Sequence, residues 1–155
     1  MIIWIEWVPL RCFEPIPVSE LVTDLDGQWN ASNVTKPTLV TVNAANEPIR
    51  FDLNAGDHLV ARTGNPAFEE EPIGNWKYGN RTYNIELTLY TNGNRQRLYD
   101  LMGEIRRICH AQRHALSNFQ RQQFVNFNEE TGEQANVWMG TVQITLENNA
   151  ILLDT

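Results

Sequence analysis

His110 and His114 are the pair best spaced for chemistry. Four residues apart on a helix, they share a face and could offer two imidazoles to one metal ion. Cys109 is adjacent but falls on the apolar side of that helix, and Asp100 and Glu104 lie off the His face. A zinc site needs a third ligand and usually a fourth, and no His-Glu-x-x-His pattern supplies one. The pair reads as part of a basic edge, and no metal is expected. The serines, Ser19, Ser32 and Ser117, lie outside any Gly-x-Ser-x-Gly elbow. Ser19 stands where a helix cap belongs. Glu69-Glu70-Glu71 reads as a solvated charge run in a polar loop. No Walker-type or Gly-x-Gly-x-x-Gly loop is present, so neither a cofactor nor an enzymatic activity is expected.

The element that must carry the histidines is a helix over residues 95–116. Leu98, Leu101, Met102, Ile105, Ile108, Cys109 and Leu116 fall on one stripe at helical spacing, the side that packs on a core. Arg95, Tyr99, Arg106, Arg107, His110, Arg113 and His114 occupy the adjoining arc, with Asp100 and Glu104 beyond it. Before the helix, residues 82–90 alternate: Tyr83, Ile85, Leu87 and Leu89 against Asn84, Glu86, Thr88 and Tyr90. Asn92-Gly93-Asn94 turns the chain. After it, residues 137–146 place Trp138, Gly140, Val142, Ile144 and Leu146 on one face of a long strand. Tyr90, Val137 and Met139 lie on the outer faces and are apolar enough for a subunit contact. Residues 117–127 fit either a strand or an extension of the helix. Glu129–Glu133 reads as an acidic turn and 151–153 as a short edge strand.

Nearer the N-terminus, shorter strands are expected over 38–43, 49–54 and 58–62, and a short helix capped by Ser19 and stopping near Gly27. Residues 63–80, rich in Gly, Asn, Pro and Glu, read as a long loop bearing Phe68, Trp76 and Tyr78. Residues 1–18, with Trp4, Trp7 and three prolines, read as an extended N-terminal arm. The expected fold is α+β: an antiparallel or mixed sheet with one main amphipathic helix on one face, plus a short N-terminal helix.

A chain of 155 residues, 42% hydrophobic and 20% charged, suits a single domain over 1–155. No run approaches the roughly 18 apolar residues of a membrane helix. The first residues lack the basic start of a signal peptide, which predicts synthesis in the cytoplasm and free thiols at Cys12 and Cys109. On the same ground the Asn-x-Ser/Thr triplets at Asn30, Asn33 and Asn80 read as accidents of a chain with seventeen asparagines. The net charge of −7 argues against general or sequence-specific nucleic-acid binding. The charge is also polarised. Residues 95–121 hold six arginines against Asp100 and Glu104, a net +4, which leaves −11 elsewhere. Such a map suits head-to-tail packing of like subunits. Arg, Trp and Tyr are the usual anchors of protein interfaces. The candidate interface residues are therefore Arg95, Tyr99, Arg106, Arg107, His110, Arg113, Trp76, Tyr78, Trp4 and Trp7.

The strand Thr82-Tyr-Asn-Ile-Glu-Leu-Thr-Leu-Tyr90, the turn Thr91-Asn-Gly-Asn94, the helix Arg95–Ile108 and the strand Val137–Leu146 together resemble the tail-terminator and neck proteins of long-tailed phages. The resemblance covers residues 75–153 as a pattern of elements and transfers no individual site residue. It implies a small acidic chain, a sheet with helices on one side, no catalytic residues and assembly as a ring that caps the tail tube. The expected partners are copies of the chain and neighbouring virion proteins, with no membrane, and the expected location is the virion. The alternatives are a monomeric protein- or ligand-binding module and a small metalloprotein using His110 and His114.

Overall fold

Alternation of apolar and polar residues decides the sheet, and register shows which face they share. A computed structural model describes residues 16–41, 56–73, 78–131 and 137–152. The described elements run α1 (Pro17–Gln28), β1 (Thr38–Thr41), β2 (His58–Ile73), β3 (Tyr78–Thr91), α2 (Arg95–Ala111), β4 (Arg121–Thr131) and β5 (Trp138–Leu152). The strands form one mixed sheet in the order β1-β2-β3-β5-β4. β1 is parallel to β2, and all other pairings are antiparallel. The fold is α+β, with the helices against one face of the sheet.

Tyr83, Ile85, Leu87 and Leu89 lie in register with Leu146, Ile144, Val142 and Gly140 of β5. Leu59 and Ala61 of β2 flank Leu89 and Leu87. These side chains are buried with Val18, Leu21 and Leu25 of α1 and Leu98, Leu101, Ile105, Ile108 and Cys109 of α2. The core is thus built from period two on the sheet and period 3.6 on the helices. Each fully buried Leu or Ile contributes about 1.5–3 kcal/mol relative to exposure. On the other face His58, Val60 and Thr88 are also buried. There Tyr90 and Met139 are half-buried, as is Val137 just before β5.

Several boundaries differ from expectation. Residues 63–73 do not form a loop: β2 continues through them, and β3 begins at Tyr78. The composition misleads because its turn residues are used in a bulge. Thr63 pairs with Ile85 and Phe68 with Tyr83, so Gly64–Ala67 oppose the single residue Asn84. A Cβ on Gly64 would lie 2.9 Å from that of Asn84, whose side chain donates to the Pro66 carbonyl at 3.0 Å. The Asn65–Pro66 peptide is cis. Glu129 and Glu130 belong to β4, opposite Gly140 and Met139, not to a turn. Ile151 and Leu152 extend β5 instead of forming a separate strand.

α1 starts at Pro17, whose fixed φ and missing N–H suit the first helical position. Ser19 therefore lies inside the helix and is not its cap, and its carbonyl accepts from the Thr23 hydroxyl at 2.9 Å. Gly27 is also helical, and Pro17 and Val18 belong to α1 and not to an arm. α2 is capped by Asn94, whose side chain accepts the Arg97 N–H at 2.8 Å. It ends at Ala111, short of residue 116, because β4 takes over the following carbonyls. The Gln122 side chain donates to the Gln112 carbonyl at 2.7 Å and the Gln122 N–H to that of Arg113 at 2.9 Å. The strand expected over 49–54, the arm over 1–15 and Cys12 lie outside the described residues.

Glu104 departs most from expectation. Instead of lying on a solvated flank it is 4% exposed. Its Oε1 accepts the Asn30 N–H at 3.0 Å, its Oε2 accepts the Asn33 amide at 3.0 Å, and Arg107 pairs with both oxygens. Arg107 also donates to the Gln28 carbonyl at 3.0 Å. The cluster ties the exit of α1 to the middle of α2. The hydrogen bond from Arg107 above all, then those from Asn33 and Asn30, hold the Glu104 carboxyl at a pKa of about 2 against the opposing effect of burial.

A pKa lowered by folding stabilises the protein above the unfolded value and loses that effect as pH falls toward 2. Glu104 should contribute on the order of 3 kcal/mol at neutral pH. In Glu104→Gln, the stability lost between pH 5 and pH 2 in urea titrations should shrink by most of that amount. A Cβ on Gly140 would overlap the Phe127 ring. Gly140→Ala should therefore lower stability by about 1–3 kcal/mol by displacing that ring, as measured by thermal unfolding.

Candidate protein-interaction surface

The basic arc of α2 sorts into residues that serve the fold and residues that do not. Arg97 donates from Nε to Asp57 at 2.7 Å and from Nη2 to the Thr35 carbonyl at 2.9 Å. Asp57 also accepts the Thr91 hydroxyl, so the first turn of α2, the end of β3 and the approach to β2 share one carboxylate. Arg95 and Tyr99 both turn to Glu129 on β4. Arg95 donates from Nη2 at 2.9 Å and the Tyr99 hydroxyl donates at 2.8 Å. The Tyr99 ring meets Phe127 edge-on at 5.4 Å. Hydrogen bonds from Arg95 first and then Tyr99 hold the Glu129 carboxyl below its usual range. Arg107 is committed to Glu104, and Arg121 pairs with Glu147.

Arg106, His110 and Arg113 remain. All three are exposed, and none has a side-chain hydrogen bond or ion pair among the described residues. Arg106 and His110 lie one turn apart on the solvent side of α2. Arg113 follows in the turn beyond the helix end. His114 lies past the helix as well, with Nδ1 3.0 Å from the Gln120 carbonyl. The helical i, i+4 geometry expected of His110 and His114 is therefore not formed. Among the described residues no group of three His, Cys, Asp or Glu side chains could hold a metal.

The second feature is an overhang. β4 begins opposite Glu147, whereas β2, β3 and β5 run on together past that row to Ile73, Tyr78 and Leu152. Four further rows at about 3.4 Å each extend the sheet by roughly 13 Å. Along residues 68–73, β2 has β3 on one side and no strand on the other among the described residues. Phe68 is 50% exposed, with Arg81 5.2 Å from its ring centroid and the Tyr83 ring tilted against it at 5.8 Å. Arg81 donates to Glu70 at 2.6 Å. Glu69 and Glu71 point to the opposite face of the strand, exposed and without an ion pair among the described residues. Tyr78 opens β3 opposite Ile73, and Trp4, Trp7 and Trp76 lie outside the described residues.

Of the basic arc expected along the helix, Arg95, Tyr99, Arg106, Arg107 and His110 lie on α2 and Arg113 and His114 past its end, and the sequence does not show which members are already taken. Glu104 three residues before Arg107 is the one readable signal, since i, i+3 pairs face each other. Asp57 and Glu129 are distant in sequence and carry no such signal. No family model matches the chain, and no curated protein matches it. No helix among the described residues is long and apolar enough to cross a membrane.

Cys109 is the one described thiol, and it is not poised for chemistry. Burial chiefly, with the nearby Asp24 charge, pushes its pKa up to about 12. In a Cys12→Ser chain, Cys109 should react with a thiol-specific dye at least 100-fold more slowly when native than in denaturant, since the thiolate is the nucleophile. Fast native labelling would place the thiol at the surface.

Proposed function

We propose that this chain is a non-enzymatic structural subunit that assembles with copies of itself into a ring, as a tail terminator or neck protein of a tailed-phage-like particle. The observation that carries this reading is the unpaired cationic end of α2 on a chain that is otherwise strongly acidic. Four of the six arginines in 95–121 are neutralised by acids of their own chain, while Arg106 and Arg113 have no such partner among the described residues. Leaving cations unsatisfied beside an acidic surface favours association of like subunits by electrostatic complementarity. The α+β architecture with helices on one side of the sheet agrees with the resemblance of residues 75–153 to those phage proteins. Partners in the assembled particle would be neighbouring copies and adjoining virion proteins, and the chain would reside in the virion after synthesis in the host cytoplasm.

The test is native mass, by light scattering or native mass spectrometry, over a range of concentration and salt. A closed oligomer several times the chain mass of 17.8 kDa is expected, loosened as salt rises. A strict monomer at every concentration would instead favour a monomeric binding module.

A further inference from the structure

The two unsatisfied charge clusters lie on opposite sides of the molecule. Arg106, His110 and Arg113 are on the outer surface of the helix layer. Glu69 and Glu71 are on the sheet face away from both helices, in register with Thr82 and Asn80. None of the five side chains has a partner among the described residues. The neighbouring acid Glu70 does have one, in Arg81, so the unused acids are those the cross-strand arginine does not face.

We infer that the cationic end of α2 in one copy docks against Glu69 and Glu71 on the β2 edge of a second copy. This rests on the ring reading and names the contact that would build it. Charge complementarity selects the occupant, because the surface that answers the acids is present on the same chain. The contact is heterologous, joining two different patches, so repetition closes a ring or continues as a filament. The edge itself favours side-chain docking over strand addition. Three successive glutamates followed by Pro72, which has no N–H to offer, guard the open side of β2 against backbone pairing.

The same glutamates could act only as that guard, and a charge-swap experiment separates the two roles. Arg106→Glu with Arg113→Glu makes one variant, and Glu69→Arg with Glu71→Arg makes the other. All four side chains are exposed, so both proteins should keep the wild-type circular dichroism and melting temperature. Each alone should fall from the oligomeric to the monomeric mass. An equimolar mixture should regain the wild-type mass, since every contact then joins opposite charges. Either variant keeping the wild-type mass would overturn this interface and leave the ring reading standing. So would a mixture that stays monomeric, or aggregation of the glutamate variant alone, which would assign those acids to edge protection. A wild-type chain that is monomeric throughout would overturn the ring reading itself.

Discussion

The carboxylate of Glu104 is the point on which the helix layer depends. It lies on α2 but is used by the segment that leaves α1, through the Asn30 backbone and the Asn33 side chain. A buried carboxylate is tolerated only where a countercharge and hydrogen bonds replace its water. Arg107 supplies the charge, and the two asparagines supply the donors. Once α2 is fixed in this way, its rotation about its own axis is set. That rotation turns Leu98, Leu101, Ile105 and Ile108 toward the sheet and leaves Arg106 and His110 facing out. The apolar stripe and the Glu104–Arg107 pair thus agree on one rotation of α2, which leaves Arg106 and His110 on the outer surface.

Similar ties recur around the sheet. Asp57 holds Arg97 and Thr91, and Glu129 holds Arg95 and Tyr99. Glu20 accepts from Ser117 and from both the backbone and side chain of Asn118. Each joins segments distant in sequence through one acid with several donors. Partly exposed pairs contribute little singly, about 0–1 kcal/mol, so their effect is to fix geometry more than to add stability. An acidic chain with few cations can spend its carboxylates this way because backbone N–H groups, hydroxyls and amides also satisfy them.

Where one physical rule dominates, the fold is legible in the sequence. Residues 82–90 and 138–146 alternate without exception on the core face, and the apolar stripe of α2 is buried at Leu98, Leu101, Ile105, Ile108 and Cys109 and half-buried at Met102. Legibility ends where two rules compete. Gly64, Asn65 and Pro66 are turn formers, yet they are accommodated as a bulge because Phe68 onward regains register with β3 and Arg81 pairs with Glu70. Glu129 and Glu130 look like a turn, yet opposite Gly140 the strand continues and Glu129 gains Arg95 and Tyr99. Glu104 looks solvated because its two asparagine donors lie more than seventy residues away. Of the candidate surface, Arg95, Arg106, Arg107 and His110 are readable from helical spacing, whereas Arg113 and His114 lie past the helix end. The division of these cations into used and unused members is not readable, since it depends on which acids the fold brings within reach.

That division also gives the surface its meaning. An arginine beside an acid of its own chain is neutralised before any partner arrives, and breaking that pair to bind elsewhere would cost what it gained. Arg95, Arg97, Arg107 and Arg121 are in this position. Arg106 and Arg113 face solvent at the end of α2 that lies away from Asp57 and Glu129, where no described carboxylate pairs with them. Glu69 and Glu71, exposed acids with no partner among the described residues, are separated from them by the thickness of the sheet and helix layers. In the proposed ring, these complementary charges, which one copy cannot bring together, would meet between copies. The same rigidity that keeps them apart in the monomer would fix the angle at which successive copies meet, and hence whether a ring closes.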